Sequence, residues 1–219
     1  MKINSKGFNW ELMDQSHWQT VADEFIPVAL RWKEKRKRSV LDLGCGIGRN
    51  TLFLAELGFN VTAVDLSEAG IKKLELEAAK TELTNNVRTV VCDMLKLPFK
   101  PKEFDCVLAF HSVYHTDFNG LRSVITTISR ILKDDGELYI TFNSKQNPDF
   151  KKPSNISIND HTIIKTEGIE KDIPHTYIAY RDVIDFLSDF KISKVQHIQE
   201  IYDTKSSWHY FVEAQKVNV

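Results

Sequence analysis

Residues 40–50, Val-Leu-Asp-Leu-Gly-Cys-Gly-Ile-Gly-Arg-Asn, constrain the fold more than any other stretch of the chain. A run of strand length and apolar character breaks into glycines at alternate positions and then passes into a segment of helical composition. Glycine accepts positive φ and leaves no Cβ in the path of a ligand. The helix start that follows offers unpaired N–H groups and the positive end of its dipole. A strand, a glycine turn and a helix in this order open a βαβ unit, and such units build parallel sheets covered by helices. The spacing matters too. Counting from Gly44, the sixth position is Arg49 and not glycine. The loop is therefore GxGxG preceded by Asp42, which departs from the GxGxxG dinucleotide fingerprint.

The alternation continues along the chain. Strands are predicted at Ser39–Leu43, Asn60–Val64, Val87–Cys92, Asp105–Phe110 and Gly136–Phe142. Helices are predicted at Asn50–Leu57, Ser67–Lys80 (with Ser67 as N-cap) and Leu121–Leu132. Before them, Trp18, Val21, Ala22, Phe25, Val28, Ala29 and Trp32 recur at helical spacing over residues 14–37, and Pro27 predicts a kink or two helices. The basic run Arg31–Arg38 reads as a solvated helix end. Residues 143–178 are polar and lack periodicity, a length uncommon in a compact domain unless functional. A helix over Tyr180–Phe190 and two strands, Ile192–Gln199 and Ser207–Ala214, follow. The short link between those strands predicts antiparallel neighbours. The expected organisation is a single domain over 1–219. Within it we expect an N-terminal helical lid (1–38), a cofactor-binding core (39–142), a substrate-side insert (143–178) and a C-terminal helix with two strands (179–219).

Charge and cysteine content narrow the function classes. Lys and Arg number 29 against 30 Asp and Glu, without the basic excess of a phosphate-binding surface, so neither nucleic acid nor membrane is expected as a partner. Cys45, Cys92 and Cys106 are too widely spaced for a disulfide framework or a zinc knuckle, and no metal is expected. The first fifteen residues hold no apolar run of signal-peptide length, which points to the cytoplasm.

Two carboxylates sit at predicted strand ends. Asp65 closes Val61-Thr-Ala-Val-Asp65, where it can accept hydrogen bonds from both ribose hydroxyls of a nucleoside, and Asp93 closes Val90-Val-Cys-Asp93, placed for an adenine amino group. With these pieces in place, the chain resembles the class I S-adenosylmethionine-dependent methyltransferases. The resemblance rests on VLDLGCGIGRN (40–50), VTAVDLS (61–67), VVCDMLKLPF (90–99), FDCVLAFHSVYH (104–115) and ISRILKDDGELYITF (128–142), in the family's order. Through EGIEKDIPHTY (167–177) it is also similar to the small-molecule, tellurite-resistance-type members. The turn Lys133-Asp-Asp-Gly136 departs from the commoner Lys-Pro-Gly form.

The resemblance implies a Rossmann-like, doubly wound, three-layer α/β/α fold: a seven-stranded, mostly parallel sheet with an antiparallel last strand. It implies S-adenosylmethionine as cofactor and S-adenosylhomocysteine as product. Gly44, Cys45 and Gly46 would pass beneath the methionine part, supported by Asp42, with Arg49 near its carboxylate. Asp65 would hold the ribose and Leu66 would flank the adenine. Asp93 and Met94 would meet the adenine edge and face, and Phe110 would touch the cofactor through its backbone.

For the acceptor, His111, His115 and His175 are the candidate bases, because imidazole titrates near neutrality. Tyr114, Tyr177 and Trp18 are candidate substrate contacts, and Trp10 or Trp18 is a candidate cover over the cofactor. The segment Phe110-His-Ser-Val-Tyr114 lacks the Asn/Asp-Pro-Pro-Tyr motif of amino-methylating DNA enzymes of the family. A small-molecule acceptor is therefore expected, with the protein a monomer or homodimer. A non-catalytic S-adenosylmethionine-binding regulator and a nicotinamide-dependent oxidoreductase are the rival readings.

Overall fold

A computed structural model describes Phe8, Trp10 and residues 20–202 and 205–217. The first helix, α1, runs Ile26–Glu34 with Pro27 in its first turn. Among the described residues Pro27 makes no kink, and residues 14–19, the start of the span predicted as a kinked helix or two helices, lie outside them. Proline lacks only an N–H that a first turn leaves unbonded anyway, so it opens the helix instead of breaking it. Val28, Ala29 and Trp32 face inward, and the basic end reaches the sheet. Lys35 lies 2.9 Å from Glu137, and Arg31 pairs with Glu213. Such exposed pairs contribute at most about 1 kcal/mol each.

Five strands alternate with helices as the sequence predicts: β1 (Ser39–Leu43), α2 (Arg49–Glu56), β2 (Asn60–Asp65), α3 (Glu68–Lys80), β3 (Val87–Val91), β4 (Phe104–Ala109), α4 (Phe118–Ile131) and β5 (Leu132–Ser144). After the insert come α5 (Tyr180–Phe186), β9 (Phe190–Tyr202) and β10 (Lys205–Lys216). β3, β2, β1, β4 and β5 lie side by side and parallel, and β10 joins β5 and β9 antiparallel. The order β3-β2-β1-β4-β5-β10-β9 is the expected seven-stranded sheet with its reversed last strand in sequence.

Side-chain alternation divides the core into two layers. Leu41, Leu43, Val107 and Ala109 turn to one face and pack with Leu121, Val124 and Ile128 of α4 and Val183 of α5. Val40, Val61, Cys106 and Leu108 turn to the other and pack with Ala29 and Trp32 of α1 and Leu54 of α2. Ile71 and Leu74 of α3 join this second face through Ala63. Each fully buried aliphatic side chain contributes about 1.5–3 kcal/mol, so α4, with Leu121, Val124, Ile125, Ile128 and Ile131 all buried, is held by its packing.

The insert differs from the sequence reading. It contains three short strands, β6 (Ile156–Ser157), β7 (Thr162–Ile164) and β8 (Pro174–Ile178), paired antiparallel in that order. β8 then pairs in parallel with the tip of β5, Asn143 against Tyr177 and Ser144 against Ile178. Two- and three-residue strands are too short to show a period, and all five residues of β8 are buried, so it shows no alternation. The insert thereby rests over the carboxyl end of β4: Thr176 donates through N to Tyr114 O (2.8 Å) and through Oγ1 to Thr116 O (2.5 Å).

Candidate active site

The register of the parallel strands places the predicted loop and carboxylates together. Leu43 pairs with Val64 and Asp65 with Val91. The glycine loop, Asp65 and Asp93 therefore extend from the same end of three neighbouring strands. Gly44, Gly46 and Gly48 take φ of +77°, +58° and +93°, values that tax any residue with a Cβ. The loop is fixed from its flank, since Gly44 N and Cys45 N both donate to Val64 O (2.7 and 2.9 Å). Ser112, after β4, packs directly on Gly44 and donates to Leu43 O at 2.5 Å. Arg49, at the start of α2, donates to Thr20 O (3.2 Å) and lies over the Phe110 ring. Cys45 is buried, which pushes its thiol well up.

Asp42 lies buried beneath the loop and accepts a 2.6 Å hydrogen bond from Thr51 Oγ1. Burial raises its carboxyl from 3.8 to about 7, against the Thr51 hydrogen bond. The folded protein therefore binds this proton more tightly than the unfolded chain, and stability is lost as pH rises from about 4 to about 7. Asp42→Asn removes that titration. Urea unfolding of both proteins at pH 4.5 and 7.5 should show the parent losing stability relative to the variant on going up in pH, by roughly 3 kcal/mol. A difference that does not change with pH overturns the assignment.

The Asp65 carboxylate is held by backbone donors: Oδ2 accepts from Gly46 N and Oδ1 from Ser67 N, both at 2.8 Å, and Leu66 N adds a weaker contact. Burial raises its pKa despite those bonds. Leu66, next along, is half-buried. Asp93 Oδ1 accepts from Leu95 N (2.9 Å), capping the single turn in which Met94 lies half-buried. Trp10, one of the two candidate covers, lies against the loop. Its indole packs so closely on Gly46 that a Cβ there would come within 2.4 Å of the ring, and Lys73 Nζ donates to its carbonyl (3.1 Å). Trp18 lies outside the described residues.

Beyond β4 the three predicted histidines converge around Tyr114, whose ring centroid lies 6.2, 4.8 and 6.3 Å from those of His111, His115 and His175. His111 takes a φ of +50°, and its backbone N donates to Thr141 Oγ1 (2.6 Å). Its Nδ1 lies 3.1 Å from the Tyr114 hydroxyl. Burial, with the nearby His209, keeps His111 well below the usual imidazole range and so uncharged at neutral pH. Burial likewise lowers His175 to about 4. Tyr177 is buried beside His175, and burial pushes its hydroxyl up.

The sequence reading missed several acidic and basic partners here. Glu200 Oε2 lies 2.6 Å from His209 Nδ1, and the His209 ring packs 4.4 Å from that of His111. Glu170 Oε1 lies 3.4 Å from His115 Nε2 and 3.3 Å from His175 Nε2, while its Oε2 accepts from Lys165 Nζ at 2.5 Å. Burial works to raise Glu170, but the two imidazoles and Lys165 outweigh it and hold the carboxyl far below its ordinary range. No metal is expected from the sequence, yet among the described residues the fold gathers two His-Glu-His groups, His111/Glu200/His209 and His115/Glu170/His175.

Comparison with known proteins agrees with the fold. Residues 40–136 match a family model described as a methyltransferase domain. Over 103 residues the chain is 34% identical to squalene methyltransferase 1 of Botryococcus braunii, an alignment that takes in 47% of this chain and 26% of that enzyme. The chain thus spans about a quarter of the length of such relatives. Among solved structures, the 1,6-didemethyltoxoflavin-N1-methyltransferase of Burkholderia thailandensis, with 1,6-didemethyltoxoflavin and S-adenosylhomocysteine bound, superposes with a TM-score of 0.68. Its identity is 19%, over 93% of this chain and 82% of that one. TehB from Haemophilus influenzae superposes with a TM-score of 0.66 at 19% identity, over 87% and 61%. At such identities the likeness is one of fold.

Proposed function

We propose that this chain belongs to the class I S-adenosylmethionine-dependent methyltransferases, a reading the match of residues 40–136 to a methyltransferase-domain model supports, and that it moves a methyl group from that cofactor to a small molecule. The observation that carries the reading is the alignment of the glycine loop, Asp65 and Asp93 at one end of adjacent parallel strands, with three histidines gathered around Tyr114 next to them. The fit to the cofactor is chemical. The lack of a Cβ at Gly44 and Gly46 lets Ser112 and Trp10 close directly on the loop, which fixes its backbone in the positive-φ shape. The Asp65 carboxylate accepts from Gly46 N, Ser67 N and Leu66 N, which leaves lone-pair capacity for a ribose hydroxyl.

In this reading Gly44, Cys45 and Gly46 underlie the methionine part, Asp42 holds the loop through Thr51, and Arg49 neutralises the amino-acid carboxylate. Asp65 takes the ribose. Leu66, Asp93 and Met94 surround the adenine, and Phe110 contributes its backbone. The bound cofactor supplies an electrophilic methyl on a sulfonium, so the protein's principal task is alignment, which can supply roughly 7–11 kcal/mol in favourable cases. His111, His115, His175, Tyr114 and Tyr177 would line the acceptor recess, with a neutral imidazole available to take a proton where the nucleophile carries one. Trp10, seated on Gly46, would cover the methionine end.

The unpaired thiols Cys45, Cys92 and Cys106 suit a reducing compartment, in keeping with a cytoplasmic enzyme. Among the described residues no helix is long and apolar enough to cross a membrane. Calorimetry with S-adenosylhomocysteine and with NADH tests the cofactor, and transfer of labelled methyl to a panel of small acceptors tests turnover. We expect S-adenosylhomocysteine to bind and NADH not to bind. NADH binding alone overturns the reading, and cofactor binding without turnover on any acceptor would mark a regulator.

A further inference from the structure

We propose that His115, Glu170 and His175 bind a divalent transition-metal ion of the zinc class beside the cofactor crevice. The two Nε2 atoms and Glu170 Oε1 all lie within 4.8 Å of one another, and both nitrogens approach the same oxygen, at 3.4 and 3.3 Å. A tetrahedral ion with bonds of about 2.0–2.1 Å sets its ligand atoms about 3.3 Å apart, so both nitrogen–oxygen spacings already match its edges.

Tautomer geometry points the same way. His175 Nδ1 lies 3.0 Å from Ile173 O. A carbonyl only accepts, so Nδ1 carries the hydrogen, and the Nε2 of the neutral ring presents a lone pair. That lone pair faces a carboxylate oxygen, which also only accepts. A protonated Nε2 would instead aim its hydrogen at Oε1, yet neither Nε2 is aligned in a hydrogen bond, and both are buried. Two acceptors turned toward one another in a dry site call for a cation between them.

The surroundings supply what metal ligands ordinarily have. The Ile173 carbonyl fixes the ring of His175, and Lys165, itself paired with Asp149 at 3.0 Å, holds the far oxygen of Glu170. The backbone brings the ligands together through a turn in which Ile173 N donates to Glu170 O (3.1 Å). The neighbouring group is different: His209 Nδ1 and Glu200 Oε2 make an ordinary donor–acceptor pair at 2.6 Å, and His111 Nδ1 meets the Tyr114 hydroxyl. No cation is needed there.

Three protein ligands leave a fourth position open. It adjoins Tyr114 and the recess assigned to the acceptor, so an acceptor hydroxyl or thiol bound there would lose its proton more readily. That last assignment rests on the methyl-transfer reading. Metal binding itself does not.

The test uses the full chain, stripped with chelator and titrated with Co(II), with Zn(II) as competitor. We expect one equivalent to bind, with the visible absorption of tetrahedral Co(II) bleached by zinc. Glu170→Gln and His175→Ala should each weaken binding at least 10-fold, and His209→Ala should leave it unchanged. Absence of the absorption in folded parent protein overturns the site, whatever becomes of the variants. So does binding that survives both ligand substitutions, or binding lost with His209→Ala. S-adenosylhomocysteine affinity of the metal-free parent is read separately, so failure of the metal site and failure of the cofactor reading are told apart.

Discussion

Gly44→Ala is expected to lower the stability of the protein by about 3 kcal/mol, a substantial share of the 5–15 kcal/mol typical of a folded domain. Two costs combine. A Cβ on Gly44 would lie 2.2 Å from Ser112 Cβ, and Ser112 cannot swing away without giving up its hydrogen bond to Leu43 O. The φ of +77° adds the penalty of a left-handed conformation, about 1–2 kcal/mol for a residue with a side chain. Gly58 separates the two. Its φ is +91°, but nothing lies within 4 Å of a Cβ built there. Gly58→Ala should therefore cost only about 1 kcal/mol. Denaturant unfolding of both variants gives the comparison, and equal losses would mean that contact with Ser112 contributes nothing. The loss at Gly44 should also reach the site, because Gly44 N and Cys45 N are the donors that hold the loop to Val64 O.

The same loop shows what a sequence reveals and what it does not. The strand, glycine turn and helix of residues 39–57 are legible because every determinant is local: an apolar run, three glycines and a helix start. The central five strands carry the same local marks, and β1 to β5 fall within a few residues of their predicted limits. Pro27 was legible as a helix signal but not in its sense, since a proline in the first turn and one in the middle look alike until the helix start is known. Asp105 shows the opposite limit. It accepts from Arg38 N, Ser39 N, Ser39 Oγ and Lys133 Nζ and so ties the start of β1 to β4 and β5, yet nothing near it in the chain predicts those partners.

The histidine cluster beyond β4 is half legible. His111 and His115 stand directly after a predicted strand, and crevices at such ends bind ligands in open α/β sheets. His175 was singled out within its polar segment. Glu170 was not, because a carboxylate five residues before a histidine shares no face with it in a helix or a strand. Only the turn from Glu170 to Ile173 and the pairing of β8 with the tip of β5 bring them to His115. The one sequence signal is retrospective: two histidines and a glutamate in segments that both flank the predicted acceptor recess.

Asp65→Ala should weaken S-adenosylhomocysteine binding by about 1–3 kcal/mol, or roughly 5- to 150-fold, the range for losing hydrogen bonds to a charged group. Two consequences of the one substitution have to be told apart. The carboxylate would accept from the ribose, but it also accepts from Gly46 N and Ser67 N, so its removal strips the loop and the start of α3 of a shared anchor. Gly46 is the residue on which Trp10 sits, so a loosened loop would disturb the cover as well as the floor. Asp93→Ala is the control. Asp93 likewise caps its following turn, through Leu95 N, and stands at the tip of a different strand, so its loss reports on the adenine end and on a lost turn cap. If Asp65 acts on the ribose, its removal should raise the dissociation constant for adenosine as well as for S-adenosylhomocysteine, by similar factors, since adenosine lacks the methionine part that the loop would cradle. If it acts only by anchoring the loop, adenosine affinity should be nearly unchanged while S-adenosylhomocysteine affinity falls. Calorimetry with the two ligands on folded Asp65→Ala decides between them, and unchanged affinity for both would remove Asp65 from the site.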